Sequence, residues 1–374
     1  SIMLLDSAHI QESDAAYLNK KRRRAGQPLV EPLYTRQDAT RSLEQFVSIP
    51  YNMPFPVAPG VKLIYREAGH ILDAALICLE IEEEGQQRKL LFTGDLGRPK
   101  QPLLRDPYIP EEVDVLITES TYGNRYHGPS GENRAQLGEI VRETAGRGGK
   151  VIIPSFSVGR TQDVVYCLHQ LLDMNKIPHL PVFVDSPLSV NATEVFLLHP
   201  ECYDKETHKF LMDSSSRSPF SFPGMRYVRE VEESKTINDL QGPAVIISAS
   251  GMCETGRILH HLKNNIENAR NTVVIVGWQA PYTLGRRLVE KQPRVRIFGE
   301  EYVRRAEVHV LNGFSAHADR GELLDWFDRM RGPSLERVVV VHGEVESSMA
   351  LAEAFKEREV AHVLVPEPSQ EVEF

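Results

Sequence analysis

Short apolar runs alternate with segments of helical pattern along most of the chain. The runs at residues 61–65, 74–81 and 89–93 lie close together, separated by glycine-containing or charged turns, and predict antiparallel strands. Further along, the rhythm becomes strand, short loop, helix, which predicts a mostly parallel sheet. These later runs are residues 113–118, 151–154, 181–185, 244–249, 272–277 and 337–341. The pattern therefore predicts the α/β class.

Composition and charge mainly exclude certain classes of protein and site. The 374 residues are 41% hydrophobic and 25% charged, which is ordinary for a globular chain of two or three domains. A net charge of −9 means that nucleic acid would have to bind in a local basic groove. The four cysteines lie far apart without a C-x-x-C pair, so we expect neither disulfides nor a thiolate zinc site, and the cytoplasm as the compartment. No apolar run is long enough to predict a membrane helix or a membrane partner.

Five polar residues follow the predicted strands at equivalent positions. Each alone has a structural explanation, because a carboxylate can cap a turn and a single histidine is more often a hydrogen-bonded structural residue. Together, imidazoles and carboxylates without thiolates are typical of a site where a divalent ion such as zinc activates water. The five are His70, Asp95, Glu119, His317 and His342.

A second pattern pairs glycine with arginine. Three times a strand runs into a loop of small residues, then Gly-Arg, then a helix, which places Arg160, Arg257 and Arg286 near helix N-termini. A cation is mildly unfavourable there unless an anion binds between it and the helix, and phosphate fits. Three such sites favour a polyanionic backbone as the ligand. The alternative is that each is an ordinary turn whose arginine pairs with a neighbouring carboxylate.

The basic run at residues 20–24 leaves two interpretations open. It could contact nucleic acid, but basic clusters of this size are common on solvated helix faces and helix ends, and we favour that reading.

These motifs resemble the metallo-β-lactamase-fold nucleases of the β-CASP group, which include the endonuclease of pre-mRNA 3′-end processing and its bacterial and archaeal relatives. Gly-His70-Ile-Leu and Thr-Gly-Asp95 resemble the third and fourth metal motifs of the family. Glu119 in Glu-Ser-Thr-Tyr-Gly, His317 in Ser-Ala-His-Ala-Asp and His342 in Val-His-Gly-Glu resemble motifs A, B and C.

The resemblance implies a metallo-β-lactamase αββα sandwich, N-terminally incomplete, with an inserted α/β β-CASP domain. Residues 1–124 and 313–374 would form the lactamase-like part and residues 125–312 the insertion. It also implies two zinc ions, with His70, Asp95 and His342 as ligands and Asp95 as their bridge. His317 would be the general acid and Glu119 the carboxylate that holds it. Loops of the insertion would bind single-stranded RNA through its backbone, with these residues: Ser155, Ser157, Arg160, Ser250, Gly251, Arg257, Gln279 and Arg286.

One motif of the family is missing. The His-x-His-x-Asp-His motif supplies four metal ligands in the family, and no His-x-His occurs in this sequence. Residues 2–5 are an apolar run that we interpret as a strand, so the chain is expected to begin inside the lactamase-like domain. Three ligands for two ions fall short of four-coordination, and metal binding is expected to be weak.

The sequence therefore predicts a zinc-dependent ribonuclease of endonucleolytic or 5′-exonucleolytic type. A homodimer is compatible with it. Three alternatives stay open. The chain could be an RNA-binding scaffold that lost its chemistry, although five retained polar residues at strand ends argue against this. A small-molecule hydrolase such as a lactonase is disfavoured by the long insertion. A DNA-processing enzyme is compatible, because phosphate contacts alone do not separate RNA from DNA.

Overall fold

The computed structural model describes residues 2–128, 132–214 and 216–373. Strands in these ranges are β1 (Phe55–Ala58), β2 (Val61–Glu67), β3 (Ala75–Glu83), β4 (Gln86–Phe92), β5 (Val115–Thr118), β6 (Lys150–Pro154), β7 (Val182–Asp185), β8 (Met225–Val228), β9 (Ala244–Ser248), β10 (Thr272–Ile275), β11 (Arg294–Ile297), β12 (Glu300–Val303), β13 (Glu307–Val310), β14 (Arg337–Val340) and β15 (His362–Leu364). The α-helices are α1 (Ile2–Arg24), α2 (Arg36–Leu43), α3 (Glu132–Gly146), α4 (Arg160–Asp173), α5 (Pro187–Leu198), α6 (Lys205–Asp213), α7 (Val231–Asp239), α8 (Ile258–Asn265), α9 (Leu284–Val289), α10 (Arg320–Met330) and α11 (Val345–Lys356).

Residues 1–49 form a compact unit of their own that contains α1 and α2. Asn19 on α1 exchanges two hydrogen bonds of 2.9 Å with the backbone of Val30, which ties the following loop to the helix. Thr35 and Asp38 form a capping box at the start of α2, which satisfies backbone donors that the first turn leaves free. Local hydrogen bonding thus sets the start of α2 and holds the loop that follows α1.

The prediction of a strand at residues 2–5 is wrong, because these residues begin the 23-residue helix α1. An apolar run of four residues cannot by itself distinguish strand from helix. Here it continues without a turn residue into a segment rich in helix formers, and Ala8 and Ala15, two turns apart, are its buried positions. The basic run at residues 20–24 forms the C-terminal end of α1, where cations interact favourably with the helix dipole.

A seven-stranded sheet has the order β1-β2-β3-β4-β5-β14-β15. Strands β1 to β4 are antiparallel neighbours, and β4, β5, β14 and β15 are parallel. The antiparallel pairing predicted for the early strands is confirmed. Since β5 and β14 are adjacent in the sheet but far apart in sequence, the intervening chain is an insertion.

That insertion carries a six-stranded parallel sheet with the order β13-β10-β6-β9-β7-β8. Its central strands β6, β7, β9 and β10 are buried along their whole length, as their continuous Val and Ile runs predict. The predicted α/β class, with its parallel second half, is confirmed. The boundaries at residues 124 and 312 stay predictions.

The apolar core against the seven-stranded sheet involves α10 and α11. Phe327 on α10 and Phe355 on α11 are buried with their ring centroids 4.5 Å apart, beneath Val338 and Val340 of β14. This packing fixes β14 and the loop that follows it. Among the residues that the structure describes, no helix is both long and apolar enough to cross a bilayer.

Candidate metal centre

Three of the five predicted polar residues follow parallel neighbours of the seven-stranded sheet. Asp95 lies just beyond β4, Glu119 directly after β5, and His342 just beyond β14. Because β4 pairs with β5 and β5 with β14 in parallel, their carboxyl ends lie at one edge. His70 comes from the loop between β2 and β3, and His317 from the loop before α10. The structure brings all five to this edge.

Close contact between loop backbones places His70 and His317. Gly97 forms an isolated antiparallel bridge with His317. A Cβ on Gly97 would lie 1.9 Å from the carbonyl oxygen of Gly69 and 2.5 Å from the nitrogen of His70, so only glycine fits there. The loop after β4 is therefore in contact with both histidine loops.

His342 has a left-handed backbone with φ of 50°. Such a conformation is uncommon for a residue other than glycine and persists where the surroundings hold it. Its carbonyl accepts a hydrogen bond of 3.1 Å from the Ser120 nitrogen, and its Nδ1 lies 3.2 Å from Thr121 Oγ1. The loop after β5 thus orients the imidazole.

Asp95 lies between two imidazoles. Its Oδ2 is 3.7 Å from His70 Nε2, and its Oδ1 is 3.4 Å from His342 Nδ1. Both separations are long for a hydrogen bond to a carboxylate. Donor atoms bound about 2.0–2.1 Å from one tetrahedral zinc lie about 3.3 Å from each other, so these distances fit ligands that share an ion. Each oxygen faces a different histidine, as a bridging carboxylate would.

One compact group of candidate metal ligands contains His317 and not His342. Ligand atoms of His70, Asp95 and His317 all lie within 4.8 Å of one another. The rings of His70 and His317 are 4.4 Å apart, and those of His317 and His342 are 6.1 Å apart. Among the described residues, this is the group of histidines and carboxylates compact enough to hold an ion. The donor set of imidazole and carboxylate suits zinc.

Glu119 holds His317 from the opposite side. His317 Nδ1 lies 3.1 Å from both carboxylate oxygens of Glu119, and Glu119 itself is buried. Glu119 also accepts hydrogen bonds from the backbone nitrogens of Leu96 and Thr121. The carboxylate is therefore fixed, and only Nε2 of His317 is free to reach a substrate.

His70 and His317 have pKa values shifted in opposite directions. Burial, followed by the nearby His317, lowers the pKa of His70 to about 4, so His70 is neutral at pH 7 with a lone pair available for a metal. Burial also lowers the pKa of His317, but the hydrogen bond and charge of Glu119 outweigh it and raise that pKa overall. Burial raises the pKa of Glu119, and its bonds with His317 bring it below the usual value.

The Gly-Arg loops lie where they were predicted, at the N-terminal ends of α4, α8 and α9, but their arginines bind protein groups. Arg160 is buried and donates to the carbonyl of Val276 at 2.5 Å, with Asp163 3.7 Å away. Arg257 pairs with the buried Asp185 at 2.6 Å. In these two cases the carboxylate alternative left open by the sequence describes the observed contacts.

Arg286 is the most accessible of the three. Its side chain is 43% exposed and pairs with Glu290, one turn along α9, at 2.8 Å. An exposed pair of this kind is screened by solvent and contributes little, so a stronger ligand could displace it.

The other predicted RNA-binding residues connect neighbouring loops. Ser155 is buried and accepts a hydrogen bond from Thr161, while Ser157 lies 3.2 Å from Ser186. Ser250 Oγ accepts from the nitrogens of Glu254 and Thr255. Gln279 Nε2 donates to the carbonyl of Gly251 at 3.0 Å.

Sequence reasoning missed several residues around the centre. Thr121 contacts both Glu119 and His342. Arg98, three residues after Asp95, is buried, pairs with Glu322 at 2.8 Å and donates to the carbonyl of Gly313. An arginine inside a strand-end motif was a signal that could have been used.

Comparison with known proteins adds a family assignment. Residues 161–288 match the model of the Beta-Casp domain. Residues 301–366 match the model of the Zn-dependent metallo-hydrolase RNA specificity domain. The first match lies within the insertion, and the second covers the loop of His317 and the strand before His342.

Curated relatives match over most of the chain. Ribonuclease TTHA0252 of Thermus thermophilus is 36% identical over 321 residues, which are 86% of this chain and 71% of that protein. The RNase J-like protein of Methanocaldococcus jannaschii is 31% identical, covering 85% of this chain and 72% of the relative. The transcription termination factor FttA of Thermococcus kodakarensis is 31% identical, and the chain spans 51% of its length.

Proposed function

Because the chain belongs to the β-CASP family of metallo-β-lactamase-fold RNA nucleases, which are metal-dependent hydrolases, we propose that it hydrolyses phosphodiester bonds of single-stranded RNA at the strand-end centre. The observation that carries this is the position of Asp95, one oxygen toward His70 and the other toward His342, at separations suited to shared metal ligation. We propose zinc as the ion, which would supply an activated water for attack on phosphorus.

His70, Asp95 and His342 would hold the metal. Three ligands shared between two ions are fewer than four-coordination requires, so we propose weak metal binding by this chain. A scaffold role without chemistry would give no reason for a carboxylate to face two imidazoles without a hydrogen bond to either.

His317 would protonate the leaving oxygen. Both oxygens of Glu119 hold its Nδ1, and this orients the ring with Nε2 as the remaining donor. Glu119 positions His317 and stabilises its protonated form, in the way that a buried carboxylate orients a catalytic imidazole. Protonation of the 3′ oxygen would leave products with a 3′-hydroxyl and a 5′-phosphate.

The test is zinc-dependent cleavage by the full chain. End-labelled single-stranded RNA is incubated with the protein over a zinc titration, and the product ends are identified chemically. We expect cleavage that rises with zinc, falls with chelator and yields 5′-phosphates. RNA binding without cleavage at saturating zinc would favour the scaffold alternative, and equal cleavage of single-stranded DNA would widen the substrate class.

The mode of cleavage, endonucleolytic or 5′-exonucleolytic, stays a prediction of the sequence. The same holds for the homodimer and for the cytoplasmic location. The eight predicted RNA-binding residues stay a proposal, in which Arg286 is the most accessible cation.

A further inference from the structure

Two exposed side chains at the loop edge of the six-stranded sheet are aromatic. Arg160 and Arg257 are engaged by protein partners, as described above. Phe156, in the loop before Arg160, is 45% exposed, and Trp278, in the loop after β10, is 36% exposed. Aromatic rings carry a large contact surface, and these two are open to a ligand in loops close to the candidate centre.

The ring of Phe156 packs against the backbone at Gly251. Phe156 follows β6 by two residues, and a Cβ on Gly251 would lie 2.9–3.1 Å from its ring atoms. Any side chain at Gly251 would collide with the ring, so the glycine allows the loop after β9 to lie directly against it. The ring is held on one side by backbone and keeps nearly half of its surface open.

Trp278 belongs to the loop after β10, which neighbours β6 in the sheet. Gln279 Nε2 bonds to the carbonyls of Gly251 and Trp278, both at 3.0 Å. Arg160, at the end of the Phe156 loop, bonds to the carbonyl of Val276. These hydrogen bonds join the two aromatic loops and the Gly251 loop, and so hold the three loops relative to one another.

This edge adjoins the metal centre. Gly159, in the Phe156 loop, is so close to Ile71 that a Cβ would lie 2.8 Å from its Cγ2, and Ile71 follows His70 directly. A strand of RNA with a phosphate at the centre would have its neighbouring nucleotides within reach of this edge.

We propose that Phe156 and Trp278 form a platform on which unpaired RNA bases stack beside the metal centre. The inference rests on the proposed function and deepens it. Stacking tolerates any sequence, because every base has an aromatic face. Base stacking needs no positive charge on the protein, which suits a chain whose net charge is −9.

The test uses the tryptophan itself as a probe. The chain has two tryptophans, and the other, Trp326, is buried and donates to the carbonyl of Tyr108 at 2.9 Å. We expect a single-stranded RNA of about ten nucleotides, added to the full chain with chelator, to quench tryptophan fluorescence. The quenching should disappear in Trp278→Leu.

Affinity is measured in parallel by fluorescence anisotropy of labelled RNA. Phe156→Leu and Trp278→Leu should each bind about 5- to 100-fold more weakly, with an unchanged dependence on salt, because stacking releases no counterions. Phe298→Leu is the matched control, since Phe298 is 52% exposed but lies in the turn between β11 and β12.

An abasic RNA of the same length keeps the experiment decisive even if a leucine variant fails to fold. Wild-type affinity for abasic RNA equal to that for ordinary RNA would overturn the platform. If both leucine variants bind RNA with wild-type affinity and RNA does not quench the tryptophan fluorescence, the platform is also overturned. The proposed nuclease function would still stand. If variants lose self-association instead of RNA affinity, the rings belong to a contact between copies. A wild-type chain that binds no RNA would refute the proposed function and the platform together.

Discussion

In each of the two sheets, an aspartate at or just beyond the end of a parallel strand faces a histidine. The two aspartates differ in how many hydrogen bonds they accept. Asp185, at the end of β7, is fully buried and accepts short bonds from His261 at 2.7 Å, Ser234 at 2.5 Å and Arg257 at 2.6 Å. Asp95, beyond β4, is partly exposed, and its histidine contacts are 3.4 Å and 3.7 Å. The same residue types thus build a saturated structural network in one place and an open ligand set in the other.

The difference lies in the number of donors that reach the carboxylate. A buried carboxylate is costly unless its lone pairs are filled, and the six-stranded sheet fills them at Asp185 with protein groups. At Asp95 the lone pairs are left to water or to a metal. Saturation of the carboxylate, more than the presence of an aspartate and a histidine, separates a structural pair from a reactive one.

Asp95→Ala should give the largest functional effect. We expect loss of bound zinc and a fall in RNA cleavage of about a thousandfold or more, because the metal supplies several kcal/mol of transition-state stabilisation. Stability should change little, since Asp95 makes no short bond. Zinc content and cleavage rate are measured beside Glu111→Ala, which removes an exposed carboxylate. Stoichiometric zinc retained by Asp95→Ala would reject the bridging assignment.

His317→Ala should separate chemistry from metal binding. We expect zinc content and RNA affinity to persist while the rate falls by about 10² to 10⁴, the usual contribution of a positioned acid. A substrate with a better leaving group should recover part of this loss, since it needs less protonation. Loss of zinc in this variant would instead make His317 a ligand, as its distance to His70 and Asp95 permits.

Asp185→Ala should lower stability without affecting the metal centre. Removing this carboxylate leaves Arg257 and His261 without their buried partner, and breaking a buried pair costs about 3–5 kcal/mol. The midpoint of thermal unfolding should fall, while zinc bound per folded molecule stays unchanged. Asp185→Asn, which keeps part of the hydrogen bonding, should fall less. A zinc loss equal to that of Asp95→Ala would erase the contrast between the two aspartates.

Arg286→Ala should give the smallest effect. Its pair with Glu290 is exposed and screened by solvent, so stability should hardly change. If Arg286 contacts one phosphate, the salt dependence of single-stranded RNA binding should fall by about 0.7 in log–log slope. Arg296→Ala, an exposed arginine on β11, serves as the control. An unchanged slope would exclude Arg286 from RNA binding.

Sequence predicted the strands and the residues that follow them because both depend on local pattern. Continuous Val and Ile runs identify buried parallel strands, and parallel pairing places Asp95, Glu119 and His342 at one edge without further information. The prediction of equivalent positions holds for these three residues, while His70 comes from the loop between β2 and β3 and His317 from the loop before α10.

Partners far apart in sequence could not be predicted this way. Whether Arg257 meets a phosphate or a carboxylate depends on Asp185, 72 positions away, and on strand order within the insertion. Likewise, residues 2–5 became a helix through the segment that follows them. A motif identifies the side chain, and the tertiary structure decides how many of its hydrogen bonds are already used.

The pairing of β5 with β14 sets the order in which the protein can be assembled. Thr118 lies beside Val340, so Asp95 and His342 meet only after the whole insertion between them has been synthesised. At about 5–20 residues per second, this interval lasts about 10 to 45 s. All six strands of the inserted sheet precede β14 in the chain, and that sheet can therefore form while the metal centre still lacks one of its histidines. A ribosome paused before residue 342 would display the aromatic platform without a complete centre beside it.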